Sequence, residues 1–400
     1  MTAWGKTRMR RASVSGICGL GLVAAMLFGA APPVSAGQGP AEPTAKSPTE
    51  GLEYVALGDS FAAGYGLSPA TKKPVPGCHQ SSENYPHRIA RALGLTLTDV
   101  TCSGAVTANV IAKPQKTDSG TAPVQLDALG PDTRVVTLSI GGNDLGFFTT
   151  ATSCIALTKN GPILTSSKPN CKSSYVKKGV DTLAERIPGA VVEGSAKTPS
   201  GLVKTFAAIR AAAPKAEVFV IGYPAITPDA AHTPAGGCFR SGLGGTLRSL
   251  RIDNGFPFTN GDSLYLNAIE KKLDRATREQ TEAAGFQYIS VLAATESHSA
   301  CASPEASYVQ GLSLRTNEDF SFTILPGALH PNAKGAAFLA NSVIPEIRAV
   351  FPEPSPSPSP RPSPGAPGSP GGVIALVLVG VLVLVGVTVL IVIRRRRDSE

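Results

Sequence analysis

Short runs of apolar and β-branched residues alternate with helix-like patterns through the middle of the chain. Such runs predict buried strands, whereas apolar residues on one face of a turn, such as Ile89 and Leu93, predict packed helices. The predicted strands are Glu53–Gly58, Leu95–Cys102, Arg134–Ile140, Glu217–Ile221 and Phe286–Val291. The predicted helices are Tyr85–Leu93, Gly201–Ala213, Ser263–Ala284 and Ala333–Val350. This alternation predicts an α/β fold in which helices cover both faces of a parallel sheet of about five strands.

Two segments between these elements, 149–180 and 225–262, are rich in Gly, Pro, Ser and Cys. Residues of these types favour turns and irregular backbone. We expect long loops there, which line a pocket.

Residues 1–36 have the pattern of a secretory signal peptide. A basic start precedes an apolar stretch from Ile17 to Ala31, and Val34-Ser35-Ala36 is a small-residue cleavage site. An uncleaved membrane anchor is the alternative, but the apolar part is shorter than the roughly 20 residues of a span. Residues 37–51 then form a flexible lead-in. We therefore expect an exported protein.

The opposite end of the chain is long enough to cross a bilayer. Residues 373–393 are apolar and uncharged, and Arg394–Arg397 follow at once in the basic tail 394–400. A span needs roughly 20 apolar residues, and clustered arginines stay on the cytoplasmic side. A buried core helix is the alternative, but it would carry a polar face, which this segment lacks. We expect a transmembrane helix that anchors the protein in the plasma membrane, with the preceding chain outside.

Residues 352–372 connect this segment to the folded part. They are rich in Pro and Ser, which predicts an extended chain with stretches of polyproline II. A cell-wall sorting signal would also end in an apolar segment and arginines, but its L-P-x-T-G motif is absent. The globular part is therefore 52–351, about 300 residues, which is enough for one α/β domain with a substantial core.

Charge and cysteine content narrow the class of protein. The net charge is +8, but the two ends hold most of the basic excess, so the nearly neutral middle gives no case for a nucleic-acid partner.

Six cysteines follow the signal peptide, and an even number in an exported protein favours disulfides. Zinc would need closely spaced cysteine pairs, which do not occur. Many pairings are possible, and we expect nearest neighbours in order: Cys78–Cys102, Cys154–Cys171 and Cys238–Cys301.

Small and polar residues follow the first three predicted strands at the point where each strand ends. The chain has Gly58-Asp59-Ser60, then Cys102-Ser103-Gly104-Ala105, then Gly141-Gly142-Asn143-Asp144 at these points. Sites in open α/β sheets lie at the carboxyl ends of strands. A fourth motif, Leu329-His330-Pro331-Asn332, precedes the last helix, whose start can return to that edge. We expect the four motifs to share one pocket.

These residue types suit acyl transfer by a serine. The hydroxyl needs a base within hydrogen-bond reach, and the oxygen that becomes negative needs donors aimed at it. Ser60 can be the nucleophile and His330 the base. The N–H groups of Ser60 and Gly104 and the side-chain amide of Asn143 can form the oxyanion hole. A glycine at 104 lets its N–H approach a substrate closely.

The four motifs resemble the blocks of the SGNH (GDSL) hydrolase family, and within it the secreted bacterial esterases and lipases. The residues that name the family fall on Ser60 in GDS, Gly104 in CSGA, Asn143 in GGND and His330 in HPN, in the right order. The resemblance covers roughly residues 53–350 and implies a flavodoxin-like three-layer α/β/α sandwich. Three sequential disulfides also resemble the secreted lipase branch.

The sequence departs from the family pattern at the residue that orients the histidine. Many members carry an Asp three residues before it, where this chain has Gly327. We expect a dyad of Ser60 and His330, with a backbone carbonyl near Gly327 or Ala328 as the orienting group, as in some members of the family. The alternative acids are Glu318 and Asp319.

The resemblance implies a secreted, membrane-anchored serine ester hydrolase, a carboxylesterase or lipase that acts on the ester of a lipid or an acylated glycan. No metal motif or phosphate-binding loop is present in the sequence, so we expect no cofactor. Two alternatives remain open. One is a cell-wall or polysaccharide O-deacetylase of the same family, and the other is a catalytically idle binding domain on a stalk.

Overall fold

The computed structural model describes residues 47–194, 200–244, 251–317 and 322–353. The predicted signal peptide, most of the lead-in, nearly all of the linker, the predicted transmembrane helix and the basic tail lie outside these ranges. The two alternative acids lie outside them as well. Within the described ranges, no helix is both long enough and apolar enough to cross a membrane.

The elements of the globular part follow one another in a largely alternating order. The strands are β1 (Glu53–Gly58), β2 (Thr96–Asp99), β3 (Gln115–Thr117), β4 (Gly120–Ala122), β5 (Val135–Ser139), β6 (Val176–Lys177), β7 (Val180–Asp181), β8 (Glu217–Ile221), β9 (Leu243–Gly244), β10 (Arg251–Gly255), β11 (Gln287–Ile289), β12 (Leu312–Thr316) and β13 (Phe322–Ile324). The α-helices are α1 (Ser60–Ala63), α2 (Tyr85–Leu93), α3 (Thr107–Ile111), α4 (Gly142–Leu145), α5 (Phe147–Ser153), α6 (Lys172–Tyr175), α7 (Gly201–Ala212), α8 (Asn260–Ala283), α9 (Leu292–Thr295) and α10 (Ala333–Val350).

The predicted parallel sheet of five strands is confirmed. Its order is β11-β8-β5-β1-β2, and every neighbouring pair is parallel. Counted along the chain, this is the order 2-1-3-4-5, which is typical of flavodoxin-like folds. The carboxyl ends of β1, β5 and β8 therefore lie side by side at one edge of the sheet.

Alternate residues of β1 face two separate cores. Tyr54 and Ala56 pack with α2 and α10 on one face of the sheet, whereas Val55 and Leu57 pack with α7 and α8 on the other. All four side chains are fully buried. Burying a large apolar side chain stabilises a fold by about 1.5–3 kcal/mol. The two cores make the molecule a three-layer α/β/α sandwich and hold the sheet rigid beneath its carboxyl edge.

Several predicted element bounds shift in the structure, among them the fifth strand, which shortens to Gln287–Ile289. Two of the shifts have identifiable reasons. The second strand is shorter than predicted, because β2 lies at the edge of the sheet and its side chains are only half-buried or exposed. Helix α8 begins three residues earlier than predicted, at Asn260. The hydroxyl of Thr259 accepts a hydrogen bond from the Asp262 N–H at 3.1 Å, which caps the helix at that point.

A second, antiparallel sheet was not predicted. It has the order β13-β12-β10-β9, and β9 and β10 lie within the segment 225–262 that was expected to be a loop. The segment 149–180 likewise holds α6, β6 and most of α5. The expectation of long irregular loops was therefore wrong for these parts. The strands are short, and β10 changes register between Ile252 and Gly255, so no regular alternation marks them in the sequence.

The structure contains the three disulfides Cys78–Cys102, Cys154–Cys171 and Cys238–Cys301, which are the pairs expected from the order of the cysteines. The bonded cysteines are separated by 24, 17 and 63 residues along the chain. Closing loops of these sizes stabilises a fold by about 3–4 kcal/mol each.

Candidate active site

The carboxyl edge of the central sheet carries a cavity of about 540 Å³. Ser60, Gly104, Asn143 and His330 all line it. The first three follow β1, β2 and β5, and His330 lies in the segment that leads into α10. The structure thus brings together the four residues that the sequence singled out.

A tight turn presents Ser60 to the cavity. Gly58 has a φ of +137°, and a Cβ built there would lie 2.5 Å from the carbonyl oxygen of Ser139, so the position requires glycine. Asp59 then caps α1, because its Oδ1 accepts a hydrogen bond from the Phe61 N–H at 3.0 Å. Ser60 is the first residue of that short helix and is almost wholly buried.

Ser60 and His330 are in direct contact. The Oγ of Ser60 lies 2.7 Å from Nε2 of His330, and Nδ1 lies 2.7 Å from the carbonyl oxygen of Ala328. Because a carbonyl only accepts, Nδ1 carries the proton in this contact. Nε2 is then free to accept the hydroxyl proton of Ser60. The Ala328 carbonyl is one of the two that the sequence suggested as the orienting group.

The backbone explains why no carboxylate stands at 327. Gly327 has a φ of +85°, and a Cβ built there would lie 2.7 Å from Oε1 of Gln310. Its carbonyl accepts a hydrogen bond from the His330 N–H at 3.0 Å. A side chain at 327 would therefore be strained, and the same tight turn brings the Ala328 carbonyl under the imidazole.

Aromatic rings surround the imidazole of His330. The ring centroids of Phe61, Tyr65 and Phe148 lie 4.8, 5.1 and 5.7 Å from that of His330. Burial disfavours the charged imidazolium and lowers the pKa of His330 to about 4, although the Ala328 carbonyl acts in the opposite direction. The ring is therefore neutral, and able to accept a proton, through the physiological pH range.

The loop that carries Gly104 is held from two sides. The Ser103 N–H donates to the Cys78 carbonyl at 3.0 Å, next to the Cys78–Cys102 disulfide, and Nε2 of Gln115 donates to the Ser103 carbonyl at 2.7 Å. Gly104 has a φ of +82°. Its backbone is exposed at the cavity and free of a side chain, so a substrate can approach its N–H.

Asn143 lies at the start of α4 with its side chain oriented by a neighbouring strand end. Its Nδ2 donates to the Ala105 carbonyl at 3.0 Å, and the amide keeps a second N–H. The carboxylate of the adjacent Asp144 accepts hydrogen bonds from the N–H and hydroxyl of Thr107. Burial raises the pKa of Asp144 to about 6. The Asp144 side chain therefore holds the start of α3, which follows the loop that carries Gly104.

Sequence reasoning missed two residues that organise the turn before Ser60. The side-chain amide of Gln125 pairs with both backbone groups of Gly58, at 2.7 and 2.9 Å. The hydroxyl of Tyr223 donates to Oδ2 of Asp59 at 2.6 Å. Burial raises the pKa of Asp59 to about 7, and the hydrogen bond from Tyr223 lowers it in part. The one signal for Tyr223 is its place two residues after the carboxyl end of β8.

Apolar and polar residues both line the cavity. Phe147, Phe148 and Ala151 of α5 contribute apolar surface, as do Leu273 of α8 and Leu292 of α9. Polar lining residues come from the β3–β4 hairpin and from α8: Gln115, Lys116, Thr117, Asp118, Glu270, Asp274 and Thr277. Residues 149–180 and 225–262 contribute Ala151 and Ile226 to the lining. The predicted loops thus supply a small part of the pocket, and α5 supplies more.

A group of possible metal ligands lies away from this cavity. Oxygen or nitrogen atoms of Asp229, His232 and Glu296 lie within 4.8 Å of one another. The ammonium of Lys271 lies 3.3 Å from Asp229 and 3.0 Å from Glu296. Because Lys271 already balances the carboxylates, we interpret the group as an ion-pair cluster.

Comparisons with known proteins identify relatives of this chain. A profile of the GDSL-like Lipase/Acylhydrolase family matches residues 56–338. Lipase 2 of Streptomyces coelicolor is 35% identical over 301 residues, which are 75% of this chain and 86% of that protein. An esterase of Streptomyces scabiei is 28% identical over 336 residues, which are 78% of this chain and 90% of that protein.

Solved structures show the same fold. The crystal structure of phospholipase A1 from Streptomyces albidoflavus NA297 aligns with a TM-score of 0.51 at 24% identity, over 75% of this chain and 99% of that chain. Fold and relatives together define the protein as an ester hydrolase. The chain belongs to the GDSL-like lipase/acylhydrolase family, and the resemblance seen in its four motifs is confirmed.

The aromatic surroundings of His330 predict a shift in the pH profile. Replacing Phe148 with Ala admits water, so the pKa of His330 should rise toward its ordinary value of about 6.5. A general base accepts a proton only in its neutral form, so with His330 as the base kcat/KM falls as the pH drops through the pKa of this group. In Phe148→Ala this fall should occur at a pH higher by about one unit or more. Profiles of kcat/KM for p-nitrophenyl butyrate from about pH 3.5 to about pH 8 measure it. If the acidic side of the pH profile is the same in Phe148→Ala as in the wild type, this explanation of the His330 pKa is wrong.

Proposed function

We propose that the protein hydrolyses carboxylic esters through a dyad of Ser60 and His330. The observation that carries this proposal is the 2.7 Å separation between Ser60 Oγ and His330 Nε2. A serine nucleophile needs a base in hydrogen-bond reach, and the base needs a third group to orient it. The Ala328 carbonyl, 2.7 Å from Nδ1, serves as that group.

The reaction proceeds in two halves. Ser60 Oγ attacks the ester carbonyl carbon while Nε2 of His330 takes the hydroxyl proton, which gives a tetrahedral oxyanion and an imidazolium. The bond to the leaving oxygen breaks as the imidazolium protonates it, so an alcohol leaves and an acyl group stays on Ser60. A water molecule then attacks the acyl carbon, again giving its proton to His330. Return of that proton to Ser60 Oγ releases the carboxylic acid.

The oxyanion is stabilised by the N–H groups of Ser60 and Gly104 and by the Asn143 amide. Among the described residues, no acceptor takes the backbone N–H of Ser60 or of Gly104. The contact between Asn143 and the Ala105 carbonyl orients the amide and leaves one of its protons for the substrate. Each such donor, fixed before the reaction begins, typically contributes about 10²–10³ in kcat.

A carbonyl partner has a chemical consequence for the dyad. It holds the tautomer in which Nε2 accepts, but it stabilises the imidazolium less than a carboxylate would. We therefore assign no carboxylate as the orienting partner of His330. The acids at 318 and 319 remain outside the described residues, and the geometry at Ala328 is what supports the dyad.

Substitutions at Ser60 and Asp319 test the dyad. Ser60→Ala should lower kcat for p-nitrophenyl butyrate by at least about 10⁴, because the nucleophile is lost. Asp319→Asn should keep most of the activity, since the carbonyl already orients His330. Both are measured as steady-state kinetics on protein with unchanged circular dichroism. Hydrolysis by Ser60→Ala at the wild-type rate would reject Ser60, and a loss of several orders of magnitude in Asp319→Asn would reject the dyad.

We propose that the preferred substrate is the ester of a lipid rather than an acetylated glycan. A cavity of about 540 Å³ is of the size that holds a whole small ligand and exceeds what an acetyl group fills. The aromatic and aliphatic lining residues Phe147, Phe148, Leu273 and Leu292 suit an acyl chain. The name of one relative, a lipase, points the same way.

A series of p-nitrophenyl esters from acetate to palmitate tests the choice of substrate. Each methylene that enters an apolar site contributes about 0.8 kcal/mol, so kcat/KM should rise at least about tenfold between acetate and a chain of about eight carbons. Ser60→Ala with each ester provides the background. A maximum at acetate would instead favour the deacetylase, and no hydrolysis of any ester would favour a binding domain.

We also propose that residues 52–351 form a hydrolase domain outside the cell, anchored through the segment 373–393. Three disulfides support an oxidising compartment. The length and apolar composition of 373–393 and the arginines after it support a span. Fractionation of cells that produce the full chain should place it in membranes and make the domain accessible to added protease. A chain that ends at residue 353 should appear in the medium, and equal release of both forms would reject the anchor.

A further inference from the structure

We propose that Tyr223 is a positioning residue that fixes the turn carrying Ser60 relative to the turn carrying Asn143. The inference rests on the proposed function, because those two turns hold the nucleophile and an oxyanion donor. Tyr223 follows β8, and β8 adjoins β5, which adjoins β1. Its ring therefore reaches both turns from the neighbouring strand end.

One hydroxyl group makes both contacts. The Gly142 N–H donates to the Tyr223 oxygen at 3.0 Å, and the hydroxyl proton of Tyr223 goes to Oδ2 of Asp59 at 2.6 Å. The directions are fixed, because a backbone N–H only donates and the phenol has a single proton. The phenol is thus a bridge from the residue before Ser60 to the residue before Asn143.

Each end of the bridge meets a group that sets the start of a helix. Gly142 is the first residue of α4, where the N–H has no partner inside the helix, so Tyr223 supplies one. Asp59 is the N-cap of α1, and its second oxygen holds the Phe61 N–H. Loss of the phenol hydroxyl would leave one donor unpaired and one carboxylate oxygen without its closest contact.

The close fit of the ring supports a specific role for this contact. A Cβ built on Gly142 would lie 3.3 Å from the hydroxyl of Tyr223, so the absence of a side chain at 142 lets the phenol approach the backbone. The ring of Tyr223 also packs edge-to-face on Phe61, with centroids 4.8 Å apart. Phe61 in turn lies against His330.

Tyr223→Phe tests the inference, because it removes only the hydroxyl. We expect kcat to fall about 10- to 100-fold with KM within about threefold, since small displacements between nucleophile and oxyanion donors act on the transition state. Asp59→Asn should give a similar loss, because its amide offers an N–H where Tyr223 needs an acceptor. The kcat of the double variant should lie within about threefold of the kcat of each single variant, because both changes break the same bridge.

Tyr265→Phe is the matched control. The hydroxyl of Tyr265 donates to Oδ1 of Asp181 at 3.0 Å, in the part of α8 that does not line the cavity. It removes an equivalent tyrosine–aspartate contact, and its kcat should stay within about twofold of wild type. All variants are assayed with p-nitrophenyl butyrate after comparison of their circular dichroism and melting temperatures.

The outcomes separate the inference from the proposed function. Wild-type kcat in Tyr223→Phe, or effects of Tyr223→Phe and Asp59→Asn that multiply in the double variant, would overturn the inference. If Tyr223→Phe fails to fold, Asp59→Asn decides in the same way, and wild-type kcat there rejects the bridge. Hydrolysis by Ser60→Ala at the wild-type rate would instead reject the proposed nucleophile, whatever Tyr223→Phe does.

Discussion

The hydrogen bond between Ser60 and His330 is the contact on which the site depends. It joins residues 270 positions apart in the chain, and neither residue could hold the other in place through local structure. The central sheet solves this problem, because β1 ends at Ser60 and the turn before α10 returns His330 to the same edge. The two apolar cores beneath that edge keep the strand ends from shifting.

The imidazole works in an apolar setting with a neutral partner. Aromatic rings exclude water from His330, which disfavours the imidazolium and lowers the pKa of the ring to about 4. A carboxylate at the usual place would favour the charged form, but the left-handed backbone at Gly327 would strain any side chain there. The Ala328 carbonyl orients the ring without adding a charge, so the proposed base stays neutral and able to accept a proton.

Buried polar groups form a supporting layer around the strand ends. Unpaired polar groups are costly in an apolar interior. At the carboxyl edge of the sheet, these groups are paired with side chains from distant elements. Gln125 satisfies both backbone groups of Gly58, and Thr107 satisfies Asp144. These contacts turn flexible glycine-rich turns into fixed ones, which is the condition for donors and nucleophile to keep their spacing.

The central sheet and the candidate residues could be predicted from the sequence alone. The bounds of β1, α2 and α10 follow from apolar periodicity and from the residues that stop it, and the motifs at the strand ends marked Ser60, Gly104, Asn143 and His330. Only the tertiary structure revealed the antiparallel sheet and the place of Tyr223, and it selected the Ala328 carbonyl from the two that the sequence suggested. The physical reason is that periodicity and turn residues act between near neighbours along the chain. Short irregular strands and single hydrogen bonds between distant elements leave no such local pattern.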